Sequence, residues 1–137
     1  METLTSTLQL TYDGVQHCTV CRQPQGKTVA MDGCTGSGGK GEEFSPANLV
    51  GSGLAGCMLF SMGTLALRDG IDLSGTTVDV DVSLTSTRIG AIDLGFTMPR
   101  GIAAEDRVKL ERAAEACPIK PSFRPEISIS VRFDYPA

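Results

Sequence analysis

The segment 47–67 contains no charged side chain over 21 residues, and this run limits what the chain can fold into more than any other feature. A helix of that length could cross a lipid bilayer. However, the segment also holds Asn48, Ser61 and Thr64 together with four glycines, and amphipathic strands follow it. We therefore predict a helix that is buried on most sides within a protein, and no membrane partner.

The two ends of this helix are marked in the sequence. Ser45 is a favourable N-cap, and Pro46 suits the first helical position. The sequence RDG at 68–70 is typical of a helix end, because glycine readily adopts the backbone conformation found there. The predicted helix has about 23 residues and a length of about 35 Å.

The glycines at 51, 53, 56 and 63 suggest what covers this helix. Each glycine destabilises a helix interior by about 1 kcal/mol relative to alanine, a cost that a helix tolerates where another backbone comes close. A chain of 137 residues has too little further sequence to cover a nearly all-apolar helix. We therefore predict a homodimer in which a second copy provides the cover.

The remaining segments alternate between strand and helix patterns. The clearest strand is TVDVDVSLTST, in which Leu84 and the valines at 78, 80 and 82 occupy one face and the aspartates at 79 and 81 the other. The segment AAEDRVKLERAAEAC predicts an amphipathic second helix. The complete order is β-β-β-α-β-β-α-β, which predicts an α+β fold with an antiparallel or mixed sheet and a long central helix. We expect one domain over residues 1–137.

Composition excludes several classes of function. The net charge is −4 and no basic run is present, which argues against nucleic acid as a partner. The N-terminal sequence lacks the positive and apolar regions of a secretory signal. An odd number of cysteines, five, is unlike a secreted disulfide framework, so we predict a cytoplasmic protein with reduced thiols.

The closely spaced pair Cys18 and Cys21 has the spacing of a redox motif or of half a zinc site. A zinc site needs a second pair of ligands, and His17, the single histidine, is adjacent to Cys18, so we predict no metal. The segment has a strand pattern, which would send the two side chains to opposite faces. We therefore expect no chemistry from this pair, and none from Cys34 in the glycine-rich loop.

Cys57 and Cys117 lie in better-defined settings. Cys57 is near the middle of the long helix, beyond the reach of the helix dipole, so a reactive Cys57 needs an arginine or lysine from elsewhere in the fold. Cys117 ends the second helix, where the negative end of the dipole disfavours a thiolate. If the sequence CPIK at 117–120 begins a new helical turn, the positive end of that turn's dipole would instead favour a thiolate at Cys117. Simple packing remains the alternative interpretation for both thiols.

The sequence SPANLVGSGLAGC after a glycine-rich loop, the valine-alternating strand and the later AAEACPI together resemble the OsmC/Ohr family of osmotically induced and organic hydroperoxide resistance proteins. The resemblance implies an intertwined homodimer with the active site at the subunit interface. It also implies reduction of organic hydroperoxides, without a cofactor, by Cys57 as the peroxidatic thiol and Cys117 as the resolving thiol. A dithiol reductant would restore both, and Arg22 is the nearest candidate for the family's activating arginine.

The sequence departs from the family pattern at the start of the long helix. The family's hydroperoxide reductases usually have a glutamate just after the proline, whereas this chain has Ala47. Lys40 could instead supply the cation, and Glu42 or Glu43 the carboxylate. The alternative function is therefore a non-catalytic, dimeric OsmC-like protein that binds a small ligand.

Overall fold

A computed structural model describes residues 3–24 and 26–137. The chain forms two compact units, an N-terminal unit, Met1–Leu49, and a C-terminal unit, Val50–Ala137. The order of the main strands and helices is β-β-β-α-β-β-α-β, which confirms the sequence prediction of an α+β fold. The strands form two three-stranded sheets. The single domain expected from chain length stays a prediction.

The N-terminal unit is built on an antiparallel sheet with strand order β1-β2-β3. The strands are β1 (Leu8–Gly14), β2 (His17–Arg22) and β3 (Lys27–Asp32). The register places most of the apolar residues of the sheet on one face, which we call the apolar sheet face: Leu8, Leu10, Tyr12, Cys18, Val20, Val29 and Met31. Leu10 and Tyr12 on this face are 56% and 63% exposed.

Helix α1 (Pro46–Asp69) begins and ends as its sequence predicts. The Ser45 hydroxyl accepts a hydrogen bond from the Asn48 amide at 3.1 Å, and the Asn48 side chain accepts one from the Ser45 amide at 3.0 Å. This reciprocal pair is a capping box in which asparagine replaces the usual glutamate. At the other end Gly70 has a φ of 70°, and the Ile71 amide donates to the Ala66 carbonyl, which closes the last turn.

The C-terminal unit is a mixed sheet with β5 in the centre. Its strands are β4 (Thr77–Leu84), β5 (Ile89–Thr97) and β6 (Ser128–Asp134). β4 pairs with β5 antiparallel and β6 pairs with β5 in parallel. Helix α2 (Ala104–Glu115) provides the crossover connection that parallel strands require. A short 3₁₀ turn, Lys120–Ser122, follows α2.

The core of this unit lies between the two helices and one face of its sheet. Its members come from α1, β5, α2 and the segments around α2, and the most deeply buried are Leu54, Met58, Met62, Ile92, Leu94, Phe96, Met98, Leu110 and Cys117. Gly51 belongs to this packing, because a Cβ atom there would lie 2.6 Å from Cγ2 of Val82. The prediction that the helix glycines leave room for a second copy is therefore wrong for Gly51. This glycine leaves room for Val82 of the protein's own sheet.

The opposite side of α1 is exposed and apolar. Phe60 and Leu67 are 78% and 88% exposed, and a Cβ atom at Gly53, Gly56 or Gly63 would meet no neighbouring atom within 4 Å. Within the described residues, α1 is the one helix whose length and composition would suffice to cross a membrane, a test that core helices of soluble proteins also pass.

Candidate active site

Cys57 lies in the middle of α1, at the border between the buried and exposed sides of the helix. It is half-buried and packs against the core. Its neighbours along the helix line a shallow concave surface of about 510 Å³, which is formed by Ser52, Gly53, Gly56, Cys57, Phe60, Ser61 and Thr64. Because most of this lining is apolar or small, the surface could accept a small apolar molecule beside the thiol.

Cys117 lies just after α2 and is only 1% exposed. Burial raises the pKa of the Cys117 thiol, and the adjacent thiol of Cys57 raises it further by hydrogen bonding and charge. The structure therefore brings together two of the three site residues predicted from the sequence. Both are free thiols. Closeness of two thiols is the first condition for a disulfide between them, because the bond spans Cα atoms no more than about 7 Å apart.

The segment after Cys117 settles a question that the sequence left open. The chain turns at Pro118, and the Lys120 amide donates a hydrogen bond to the Cys117 Sγ atom at 3.4 Å. The sequence CPIK thus forms a new turn whose amide faces the sulfur. Because an N–H group favours the charged form of the sulfur that accepts its bond, this contact lowers the pKa and opposes burial. Sequence reasoning gave this turn only as an alternative.

Arg22, the third predicted site residue, is the last residue of β2 and is exposed. The register places it on the apolar sheet face with Cys18 and Val20, as the strand period indicates. Its cross-strand partners are Leu8 and Lys27. Its role in activating Cys57 stays a prediction.

The N-terminal unit contains an ion pair that the sequence did not predict. The His17 Nδ1 atom donates to Asp32 Oδ1 at 2.7 Å, and Asp32 Oδ2 accepts the amides of Glu42 and Glu43 at 3.1 and 3.0 Å. The His17 bond is the main cause of a lowered pKa at Asp32 and of a raised pKa at His17, whose Nε2 atom also lies 3.7 Å from Asp13. We call this arrangement the Asp32 anchor, because it ties the end of the glycine-rich loop to two strands.

The remaining three cysteines of the sequence lie in the N-terminal unit. Cys18 and Cys21 both lie on β2, three residues apart and hence on opposite faces, as predicted. Cys34 is exposed in the glycine-rich loop, and a hydrogen bond with the Ser37 hydroxyl is the main cause of its lowered pKa. Within residues 3–24 and 26–137, no group of three or more potential ligands could hold a metal ion.

The structure thus combines an α+β fold with a central helix that carries one thiol close to a second, buried thiol. A family model described as OsmC-like protein matches residues 39–132, which is more than half of the chain. The protein therefore belongs to the OsmC-like family, and the resemblance stated from the sequence is confirmed.

Solved structures agree with this assignment. A candidate osmotic stress induced and detoxification response protein of Psychrobacter arcticus shares 27% identity, with 97% of this chain and 98% of that one covered and a TM-score of 0.88. The organic hydroperoxide resistance protein OsmC of Legionella pneumophila shares 18% identity, with 98% of this chain and 99% of that one covered and a TM-score of 0.72. The organic hydroperoxide resistance protein OhrB of Bacillus subtilis shares 17% identity, with 95% of this chain and 98% of that one covered and a TM-score of 0.68. The last two similarities show the fold alone. A search of curated proteins gives no match.

Proposed function

We propose that this protein reduces organic hydroperoxides with Cys57 as the attacking thiol and Cys117 as the resolving thiol. The observation that carries the proposal is the proximity of the two thiols, which influence each other while one is half-buried and the other lies in the core. Membership of the OsmC-like family supports it, as does the likeness to organic hydroperoxide resistance proteins from Legionella pneumophila and Bacillus subtilis.

In the first step the thiolate of Cys57 attacks the terminal oxygen of a hydroperoxide ROOH. The S–O bond forms as the O–O bond breaks, and the alkoxide that leaves takes up a proton to become ROH. Cys57 is thereby oxidised to a sulfenic acid. The concave surface beside Cys57 offers small and apolar side chains to the R group of the substrate.

In the second step the thiolate of Cys117 attacks the sulfur of the Cys57 sulfenic acid. A disulfide forms, the S–O bond breaks, and the hydroxide that leaves takes up a proton to become water. A dithiol reductant then exchanges with the Cys57–Cys117 disulfide through a mixed disulfide, so that both protein thiols are restored and the reductant is oxidised.

We further propose that the protein acts as a homodimer. Two apolar surfaces support this: the apolar sheet face of the N-terminal unit, and the exposed side of α1 with Phe60 and Leu67. Exposed apolar patches of this kind mark protein interfaces in soluble proteins. A second copy is the partner that the sequence predicts.

The test is stoichiometric treatment of the reduced protein with an alkyl hydroperoxide, followed by peptide mapping. We expect a Cys57–Cys117 bridge in the wild type, a trappable sulfenic acid at Cys57 in Cys117→Ser, and no peroxide consumption by Cys57→Ser. Cys34→Ser, which removes an exposed thiol, is the matched control and should behave as wild type.

A non-catalytic role in binding a small ligand remains the second candidate, because the concave surface beside Cys57 could hold one without any reaction. Unchanged peroxide in the presence of the wild-type protein, together with unmodified Cys57, would favour that role over the enzyme.

A further inference from the structure

The resolving thiol of the proposed cycle has a chemical difficulty that the structure makes plain. Cys117 must lose its proton to attack, yet it is 1% exposed, so water cannot stabilise the resulting negative charge. Burial is accordingly the largest influence on its pKa, and it acts upward. Some other group has to favour the thiolate if the attack is to be fast near neutral pH.

Among the described residues, the two cations that line the same surface as Cys117, Lys120 and Arg124, are both paired with carboxylates. Cys57 on α1 raises the pKa of Cys117. The Lys120 ammonium is paired with the carboxylate of Glu115 on α2, and Arg124 is paired with Glu126 at 3.4 Å. The groups that oppose burial are backbone amides instead, those of Lys120 and Ile119. The Lys120 amide reaches Sγ at 3.4 Å.

We propose that the turn Pro118–Lys120 is a positioning element for the resolving step, whose backbone amides hold Cys117 Sγ next to Cys57 and stabilise its negative charge as it attacks. This inference rests on the proposed function. In that step the Cys117 thiolate forms a bond to the Cys57 sulfur, the S–O bond of the sulfenic acid breaks, and the departing hydroxide takes up a proton. The Lys120 N–H bond is never broken.

Two side-chain contacts hold this turn in place. The Lys120 ammonium pairs with Glu115 in the last turn of α2, and the Ser122 hydroxyl donates to the Pro118 carbonyl at 3.2 Å. The first contact joins the turn to the side chain of Glu115, and the second joins Ser122 to the backbone of the turn itself. The exposed ion pair alone adds little, because solvent weakens ion pairs at the protein surface. The backbone amide is therefore the group to test.

The experiment replaces the Lys120 amide by an ester. Because Cys117 can serve as the N-terminal cysteine in native chemical ligation, a 1–116 thioester can be joined to a synthetic 117–137 peptide. One peptide carries the α-hydroxy analogue of lysine at 120, and the control peptide carries ordinary lysine. The Lys120→Met protein keeps the amide and loses the ion pair. After one equivalent of alkyl hydroperoxide, quenched mass spectrometry follows sulfenic acid and disulfide with time and pH.

We expect disulfide formation to be about tenfold slower in the ester protein, since a hydrogen bond to a charged group is lost, and its pH profile to move to higher pH. Lys120→Met should stay within about twofold of the control. Identical rates and pH profiles in ester and amide proteins would overturn the inference, as would an equal loss in Lys120→Met. If the amide control forms neither sulfenic acid nor disulfide, the proposed function itself fails.

Discussion

The two units of this protein are stabilised in different ways. In the C-terminal unit, two helices cover one face of a mixed sheet, and every buried apolar side chain of the described residues belongs to this unit. In the N-terminal unit the apolar sheet face is exposed, and the one buried charged residue of the described chain is Asp32. One unit has an apolar core, whereas the other combines a largely exposed apolar sheet face with a buried polar anchor.

This difference bears on the chemistry assigned to each unit. The proposed disulfide cycle would need a fixed frame, and Cys57 and Cys117 both lie in the unit with the apolar core. The glycine-rich loop has little apolar content. Its end is fixed by hydrogen bonds from two backbone amides to a single carboxylate, that of Asp32. Loops anchored by few contacts open locally at low free-energy cost. We therefore expect the two units to respond to different perturbations.

The largest expected effect is on the apolar core. Leu94, at the centre of β5, is fully buried, so Leu94→Ala should reduce the free energy of unfolding by about 2–5 kcal/mol. Leu10→Ala, on the exposed sheet face, is the matched substitution in the other unit. If a second copy covers that face, the cost of Leu10→Ala should depend on protein concentration, whereas that of Leu94→Ala should be large throughout. Denaturant unfolding at several protein concentrations measures the cost of both substitutions. A cost of Leu10→Ala that does not change with protein concentration would argue against cover by a second copy.

The next effect is on association. Phe60→Asp places a charge on the exposed side of α1, where a second copy should bind, and should convert the dimer to a monomer at micromolar concentration. Val108→Asp, at an exposed apolar position on α2, is the control and should leave the dimer intact. Sedimentation velocity gives the answer. A wild-type protein that sediments at 14.4 kDa under these conditions would contradict the dimer before any variant is made.

Local sequence signals predicted the C-terminal unit well. The caps of α1 and the alternating valines of β4 are determined by neighbouring residues, and each is found at the expected place. Leu84 is the exception. Its alternation predicts burial with the valines, but the register shifts between Ser83 and Leu84 and leaves Leu84 64% exposed. A shift of this kind depends on the partner strand, which periodicity alone does not contain.

The Asp32 anchor could not be predicted in the same way, because it depends on strand register. His17 and Asp32 are 15 positions apart and become direct cross-strand partners only when β2 and β3 pair as they do. The proximity of Cys57 and Cys117 similarly depends on how α1 packs beside the segment after α2. The resemblance to a known family implied that pairing, whereas the residue pattern left both redox chemistry and packing open.

A third, smaller effect is a pH dependence confined to the N-terminal unit. Asp32 has a lowered pKa, so its contribution is present above about pH 3.8 and is lost as pH falls through the lower folded value. His17 has a raised pKa, so its contribution is complete below pH 6.5 and is lost as pH rises through the higher folded value. The Glu42 and Glu43 amides should therefore be best protected from hydrogen exchange between these limits.

Protection factors measured by NMR from pH 5 to 9 test this expectation. The Met98 amide of the C-terminal unit, which donates to the Asp134 carbonyl at 2.8 Å, serves as the internal reference and should show no such decline. His17→Gln keeps a hydrogen-bond donor but cannot become charged, and it should flatten the decline above pH 6.5. A parallel fall at Met98, or an unchanged decline in His17→Gln, would show that the Asp32 anchor is not responsible.

The smallest expected effect would connect the chemistry of one unit to a charge in the other. Cys57 lies mid-helix, where the dipole gives no help, and Ala47 stands where the family's reductases usually have glutamate, so its thiolate needs a cation. If Arg22 supplies it, Arg22→Met should slow the reaction of Cys57 with an alkyl hydroperoxide at neutral pH by about fivefold, as expected for a partly solvated charge pair. Lys27→Met, which removes a cation from the cross-strand partner of Arg22, is the matched control and should react at the wild-type rate.

Stopped-flow measurement over a salt series separates the outcomes. An Arg22 effect that shrinks with added salt supports direct activation, because exposed charges are screened. Equal rates in the two variants would leave Lys40 as the remaining candidate of those the sequence suggested.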